Sequence, residues 1–162
     1  MGIITKEEYG EIICSTEKIE GTSINLDFPS VGATENIILA ACLAEGITVL
    51  TNAAKEPEIE DMVKFLNKAG AKIKGAGTDR VEITGVKKLS EISYNIMPDR
   101  IEAGTYLVAG AITGGNIKIT NVNPKHIEPI LNKLEEANCT LDVGKNYVAI
   151  NAHKRIKAVD IK

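Results

Sequence analysis

The chain holds 162 residues, 44% of them hydrophobic and 25% charged, with a formal net charge of -3 and a pI near 5.5. That is enough apolar material for one domain or two small ones, and it excludes a disordered chain. The acidic balance gives no electrostatic reason to expect nucleic acid, whose phosphates require a basic face. Cys14, Cys42 and Cys139 lie far apart with no ligand spacing, so neither a metal centre nor a disulfide framework is expected, and a reducing cytoplasm is. No apolar run is long enough to span a bilayer, so no membrane partner is expected.

In chain order, residues 9–14 read as a short strand and residues 15–21 as a polar turn. Residues 22–28 alternate, with Ile24, Leu26 and Phe28 on one side and Ser23, Asn25 and Asp27 on the other, which predicts a strand. Pro29 stops it. Ser30 is a good N-cap, and Gly32 leaves bare backbone in the first turn of a helix predicted over residues 31–44. That helix has almost no polar face, and a helix apolar all round must be covered on every side. Its N-terminus, with unpaired N–H groups and the positive end of the dipole, favours an anion. The same residues also suit an ordinary strand-to-helix junction that binds nothing.

A strand follows at Ile47–Thr51, and Glu56-Pro57-Glu58 opens a second helix. Its Ile59, Met62, Val63 and Leu66 form a single apolar stripe that ends at Gly70. Residues 71–74 and 80–84 make a hairpin. Then the pattern returns. Tyr94 and Ile96 repeat the alternating strand, Met97-Pro98-Asp99 stands for Phe28-Pro29-Ser30, and residues 103–112 form a second apolar helix. Ile117, Ile119 and Asn121 repeat Thr48, Leu50 and Asn52 at an offset of 69, and Ile127, Ile130, Leu131 and Leu134 repeat the helical stripe at an offset of 68. Asn138 takes the place of Gly70, and a second hairpin turns at Gly144-Lys145-Asn146. The expected fold is therefore α/β, two βαβαββ repeat units with buried apolar helices. Residues 9–14 resemble the tail of an earlier unit and residues 155–162 the opening strand of a later one. An excised piece of a longer repeat protein is the expectation, with self-association, swapped packing or a partly exposed apolar surface as its consequence.

Several motifs resemble those of the enolpyruvyl transferases, on the branch that takes UDP-N-acetylglucosamine. They are Ser30-Val31-Gly32-Ala33-Thr34, Leu43-Ala44-Glu45-Gly46, the run from Asn52 to Ile59, Gly70-Ala71-Lys72-Ile73, Gly75-Ala76-Gly77-Thr78-Asp79 and the run from Pro98 to Thr105. The resemblance implies the inside-out α/β barrel fold of that family (EPT-like). Residues 1–90 would be the last unit of its first globular domain and residues 91–162 the first unit of its second, with the crossover near Met97-Pro98. It implies transfer of the enolpyruvyl group of phosphoenolpyruvate to the 3′-hydroxyl of UDP-N-acetylglucosamine in peptidoglycan synthesis, with no metal or organic cofactor.

The resemblance also implies that Ser30, Val31 and Gly32 contact the UDP-sugar through backbone N–H groups and the Ser hydroxyl. Thr34, Asp99 and Arg100 are further cleft candidates. The family has a Lys two residues before this Ser, where this chain has Phe28. No catalytic residue is expected here, because the family's Lys-Asn pair, its catalytic carboxylate and its Cys on a glycine-rich loop lie on motifs this chain does not contain. Cys14, Cys42 and Cys139 have no adjacent Arg or His to lower a thiol pKa. Asp99 with Glu102 reads as a capping box, and Arg100 is either solvated or faces a cleft between globules. Glu56 and Glu58 complement a helix dipole or reach a cleft. His126 is placed in the first turn of its helix and His153 in a loop, neither with a catalytic task. The alternative function is a stand-alone two-repeat binding or scaffold module.

Overall fold

The computed structural model describes residues 1–152 and 155–161. His153 lies outside the described residues. The chain divides into two compact units, Met1–Ile96 and Met97–Lys162.

The first unit begins with a hairpin, β1 (Ile4–Glu8) and β2 (Glu11–Ser15), and continues with β3 (Ser23–Asn25), α1 (Val31–Ala41), β4 (Ile47–Thr51) and α2 (Pro57–Lys68). It closes with β5 (Lys72–Lys74) and β6 (Arg80–Thr84). The sheet order is β3-β4-β6-β5. β3 runs parallel to β4, as a crossover through α1 requires, and the β4–β6 and β6–β5 pairs are antiparallel. Ile38 from α1, Ile59 and Leu66 from α2, and Leu50, Val81 and Ile83 from the sheet make the core.

The second unit holds α3 (Arg100–Ile112), β7 (Asn116–Thr120), a 3-10 turn at Pro124–His126, α4 (Glu128–Glu136), β8 (Thr140–Val143) and β9 (Tyr147–Asn151). Its sheet order, β7-β9-β8, repeats β4-β6-β5, and its core is built from Leu107, Ile127, Leu131, Leu134, Val148 and Ile150. The duplication extends to the backbone. Asn52 and Asn121 both take φ 55 straight after their strands, and Gly70 and Asn138 both take positive φ after their helices.

Four expectations need correcting. Residues 9–14 are not one strand, because Tyr9 (φ 53) and Gly10 (φ 81) form the two-residue turn between β1 and β2. Tyr94 and Ile96 form no strand. The Tyr94 hydroxyl instead donates to the Asp61 carboxylate at 2.8 Å, its ring meets Phe65 edge-on at 5.6 Å, and Lys68 Nζ donates to the Ser93 carbonyl. Those side-chain contacts fasten the segment to α2. Residues 155–161 likewise form no strand. His126 precedes α4, in the 3-10 turn, with its Nε2 2.8 Å from Asn123 Nδ2.

The apolar helices are covered on one side only. On α1 and just beyond it, Gly32, Asn36, Leu39 and Leu43 face out; on α3, Ile101, Thr105, Val108 and Ile112 do. Each set has the spacing of one helical face. Leu39 is 51% exposed and Ile112 68%, so a partly exposed apolar surface is present.

Candidate functional site

β3 carries the chain to Pro29, which cannot continue a ladder, and Ser30 turns it into α1. Ser30 is extended (φ -85, ψ 125), and its hydroxyl accepts from the Ala33 amide at 3.3 Å while its carbonyl accepts from Thr34 N. Among the described residues, the amides of Val31 and Gly32 have no acceptor. No acidic residue lies in the first turn, so the dipole end is uncompensated. A Cβ built on Gly32 would meet nothing within 4 Å, and its φ is not positive. Neither packing nor backbone conformation therefore demands glycine here. Glycine leaves the backbone of this first turn bare to close approach.

Beside this helix end lies a cleft of about 510 Å³ lined by Pro29, Asn52, Ala53, Lys55 and Glu56. Three bonds fix its walls. Asn52 Nδ2 donates to the Leu26 carbonyl at 2.8 Å, Leu26 N donates to the Thr51 carbonyl at 3.1 Å, and the Thr34 hydroxyl accepts from Ala54 N at 3.0 Å. Glu56 precedes α2 without capping it, and its Oε2 is shielded from solvent with no hydrogen-bond partner among the described residues. A hydroxyl or N–H of a ligand would satisfy that oxygen. Lys55 is exposed at the rim and supplies the cleft's cation.

Pro29, next to Ser30 in the chain, thus shares this cleft with Asn52, Lys55 and Glu56. Thr34 goes elsewhere. It is 0% exposed, so it is a buried acceptor for the loop rather than an open cleft residue. Phe28, by contrast, is 69% exposed. Sequence reasoning missed Asn52 and Lys55. The left-handed position after a strand was the available signal for Asn52; nothing local marks Lys55.

In the second unit Asp99 caps α3, accepting from Ile101 N at 2.8 Å and Glu102 N at 3.0 Å. The return bond that would complete a capping box is absent among the described residues. Asp99 lines a second cleft of about 420 Å³ with Glu102, Tyr106, Lys118, Thr120 and Asn121. Arg100 is the first residue of α3 and half-buried. Burial pushes the Cys42 and Cys139 thiols up, the opposite of an activated nucleophile. Among the described residues, no group of three or more His, Cys, Asp or Glu could hold a metal ion, and no helix is long and apolar enough to cross a membrane.

Residues 2–162 match the EPSP synthase (3-phosphoshikimate 1-carboxyvinyltransferase) family. UDP-N-acetylglucosamine 1-carboxyvinyltransferase 2 of Caldanaerobacter subterraneus subsp. tengcongensis is 53% identical over 161 residues, 99% of this chain and 39% of its own length. UDP-N-acetylglucosamine 1-carboxyvinyltransferase of Kosmotoga olearia is 48% identical over 164 residues, again 99% of this chain and 39% of the relative. The chain thus spans about two-fifths of the length of these relatives. Among solved structures, the enolpyruvyl transferase NikO from Streptomyces tendae superposes with a TM-score of 0.81 at 23% identity, covering 93% of this chain and 39% of that one. At that identity the likeness speaks for the fold. The α/β repeat architecture is therefore that of the enolpyruvyl transferases, and the chain belongs to the EPSP synthase family.

Proposed function

We propose that this chain is part of an enzyme that transfers the enolpyruvyl group of phosphoenolpyruvate to the 3′-hydroxyl of UDP-N-acetylglucosamine, in cytoplasmic peptidoglycan synthesis. Its share of the work is to hold the nucleotide sugar. The observation that carries this is the open end of α1, with free Val31 and Gly32 amides and a glycine that the fold itself does not need. Relatives near 50% identity named for that substrate support the choice of ligand. Oriented amides favour a phosphate oxygen, and the buried Glu56 oxygen beside them favours a sugar hydroxyl or amide. Residues 1–90 belong to the last unit of one globular domain and residues 91–162 to the first unit of the next. Asp99 and Arg100 then stand at the start of that second domain. The groups that move protons lie on other segments of the enzyme.

The test is an amide NMR titration of the chain with UDP-N-acetylglucosamine. Val31, Gly32, Ala33 and Ala54 should shift together, and Ser30→Ala should weaken binding about tenfold, the loss of one hydrogen bond to a charged group. No saturable shift at these amides, or shifts confined to the second unit, refutes the proposal. A second reading, a two-repeat scaffold module, draws on the exposed apolar face of α3. It predicts a protein partner at Ile101, Val108 and Ile112, and no response to the nucleotide sugar.

A further inference from the structure

We propose that Thr34 is a positioning residue: its buried hydroxyl holds the Ala54–Glu56 loop against the open end of α1, so that Lys55 and Glu56 face the same ligand as the Val31 and Gly32 amides. The inference rests on the nucleotide-sugar site proposed above. Thr34 sits one helical turn after Ser30, its amide donating to the Ser30 carbonyl at 3.0 Å, so its backbone is locked to the cap. Its side chain is 0% exposed and reaches across 20 residues of sequence to accept from Ala54 N. A single side chain therefore connects the helix end to the loop carrying Lys55 and Glu56.

The duplication supplies an internal control. At the matching place in the second unit stands Ala103, also buried, at 5% exposed. The same helix-on-sheet packing is thus achieved without a hydroxyl, and the fold does not require one. The two helix ends differ as well. Asp99 fills the end of α3 with its own carboxylate, accepting from two amides. Ser30 takes only Ala33 N and leaves the end of α1 open. The hydroxyl brace is found at the open end and missing from the closed one. A brace needed for folding would be expected at both.

Thr34→Val keeps the shape and removes the acceptor, leaving Ala54 N–H unpaired in a dry site, so the loop swings out to wet it. Thr34→Ser keeps the acceptor. Thr34→Ala reproduces the side chain that the second unit already accommodates, and serves if the valine variant does not fold. Ile83→Val lowers stability in the same unit away from the cleft. Dissociation constants for UDP-N-acetylglucosamine come from NMR titration of the whole chain, with hydrogen exchange of the Ala54 amide measured alongside. The expected result is about a tenfold loss of affinity in Thr34→Val or Thr34→Ala, faster Ala54 exchange, and recovery to within about threefold in Thr34→Ser. Ile83→Val should bind as the parent does. If the parent chain binds and the valine and alanine variants bind equally well, the brace is refuted and the site stands. If Ile83→Val loses as much affinity as Thr34→Val, the effect is general stability and the proposal falls. If the parent chain does not bind the nucleotide sugar, the site itself is refuted and the proposal with it.

Discussion

Ile38 and Leu39 are neighbours on a helix that the sequence paints apolar all round, yet they meet different surroundings. Ile38 is 0% exposed, within the core that holds Leu50, Ile59, Val81 and Ile83, whereas Leu39 is 51% exposed. Truncating Ile38 to Ala removes roughly three carbons at about 0.8 kcal/mol each, or ~2.4 kcal/mol of transfer free energy. The cavity left in a close-packed core raises the expected loss to about 3–4 kcal/mol. Leu39→Ala removes as many carbons from a side chain already half in water, so about 1 kcal/mol is at stake, and helix propensity is nearly unchanged. Hydrogen exchange of amides in α1 and β4 reads the stability of the first unit separately from the second. A gap of about 2–3 kcal/mol between the two variants is expected from these magnitudes. Equal losses would refute the one-sided packing of α1 and mean that Leu39 is covered in solution. If a second copy covers it, the Leu39→Ala loss will grow with protein concentration.

Two glycine substitutions should act with opposite signs. A Cβ on Gly85 would collide with the Ala44 carbonyl, so Gly85→Ala should cost more than about 2 kcal/mol in urea denaturation. Gly32→Ala meets open space and should stabilise the chain by about 0.5–1 kcal/mol, while weakening nucleotide-sugar binding; a variant both more stable and equally tight would remove the ligand argument for that glycine. Cys14 is exposed and Cys42 and Cys139 are buried, so a thiol reagent at pH 8 should label Cys14 rapidly and the other two only after denaturation. The Asp61 carboxylate that accepts the Tyr94 hydroxyl raises that phenol's pKa above 10.0. The unfolded chain therefore loses this proton first as pH rises, and the stabilisation, complete below pH 10, drains away through the higher folded-state value. Tyr94→Phe should flatten the alkaline limb of a stability-versus-pH curve, and an unchanged slope would count against the bond.

Periodicity made most of the first unit legible. The α2 stripe, the Gly70 stop and the β5–β6 hairpin are local patterns whose side chains do what their spacing says. Two errors share one cause, a tertiary preference that local alternation cannot encode. Tyr94 alternates like a strand residue but finds a carboxylate and a phenyl ring on α2, and Thr34, a cleft candidate, is buried and serves an amide 20 residues away. Tyr9 hid the first hairpin because an aromatic residue at φ 53 is unusual, and only the following Gly10 signals the turn. The Ser30 cap at the start of α1 was readable from cap chemistry. Asn52, Lys55 and Glu56 meet Pro29 in one cleft only once β3 and β4 lie side by side.

The matched outward faces of α1 and α3 carry a lesson about divergence after duplication. Toward the sheet, both copies are held to the same task, and Ile38 and Leu107 are alike in chemistry and burial. Away from it they have parted: glycine and asparagine occupy the early turns of one helix where isoleucine and threonine occupy the other. The shared interior leaves the outer sides free to differ, and one helix starts on unpaired amides while its twin fills the same place with an aspartate.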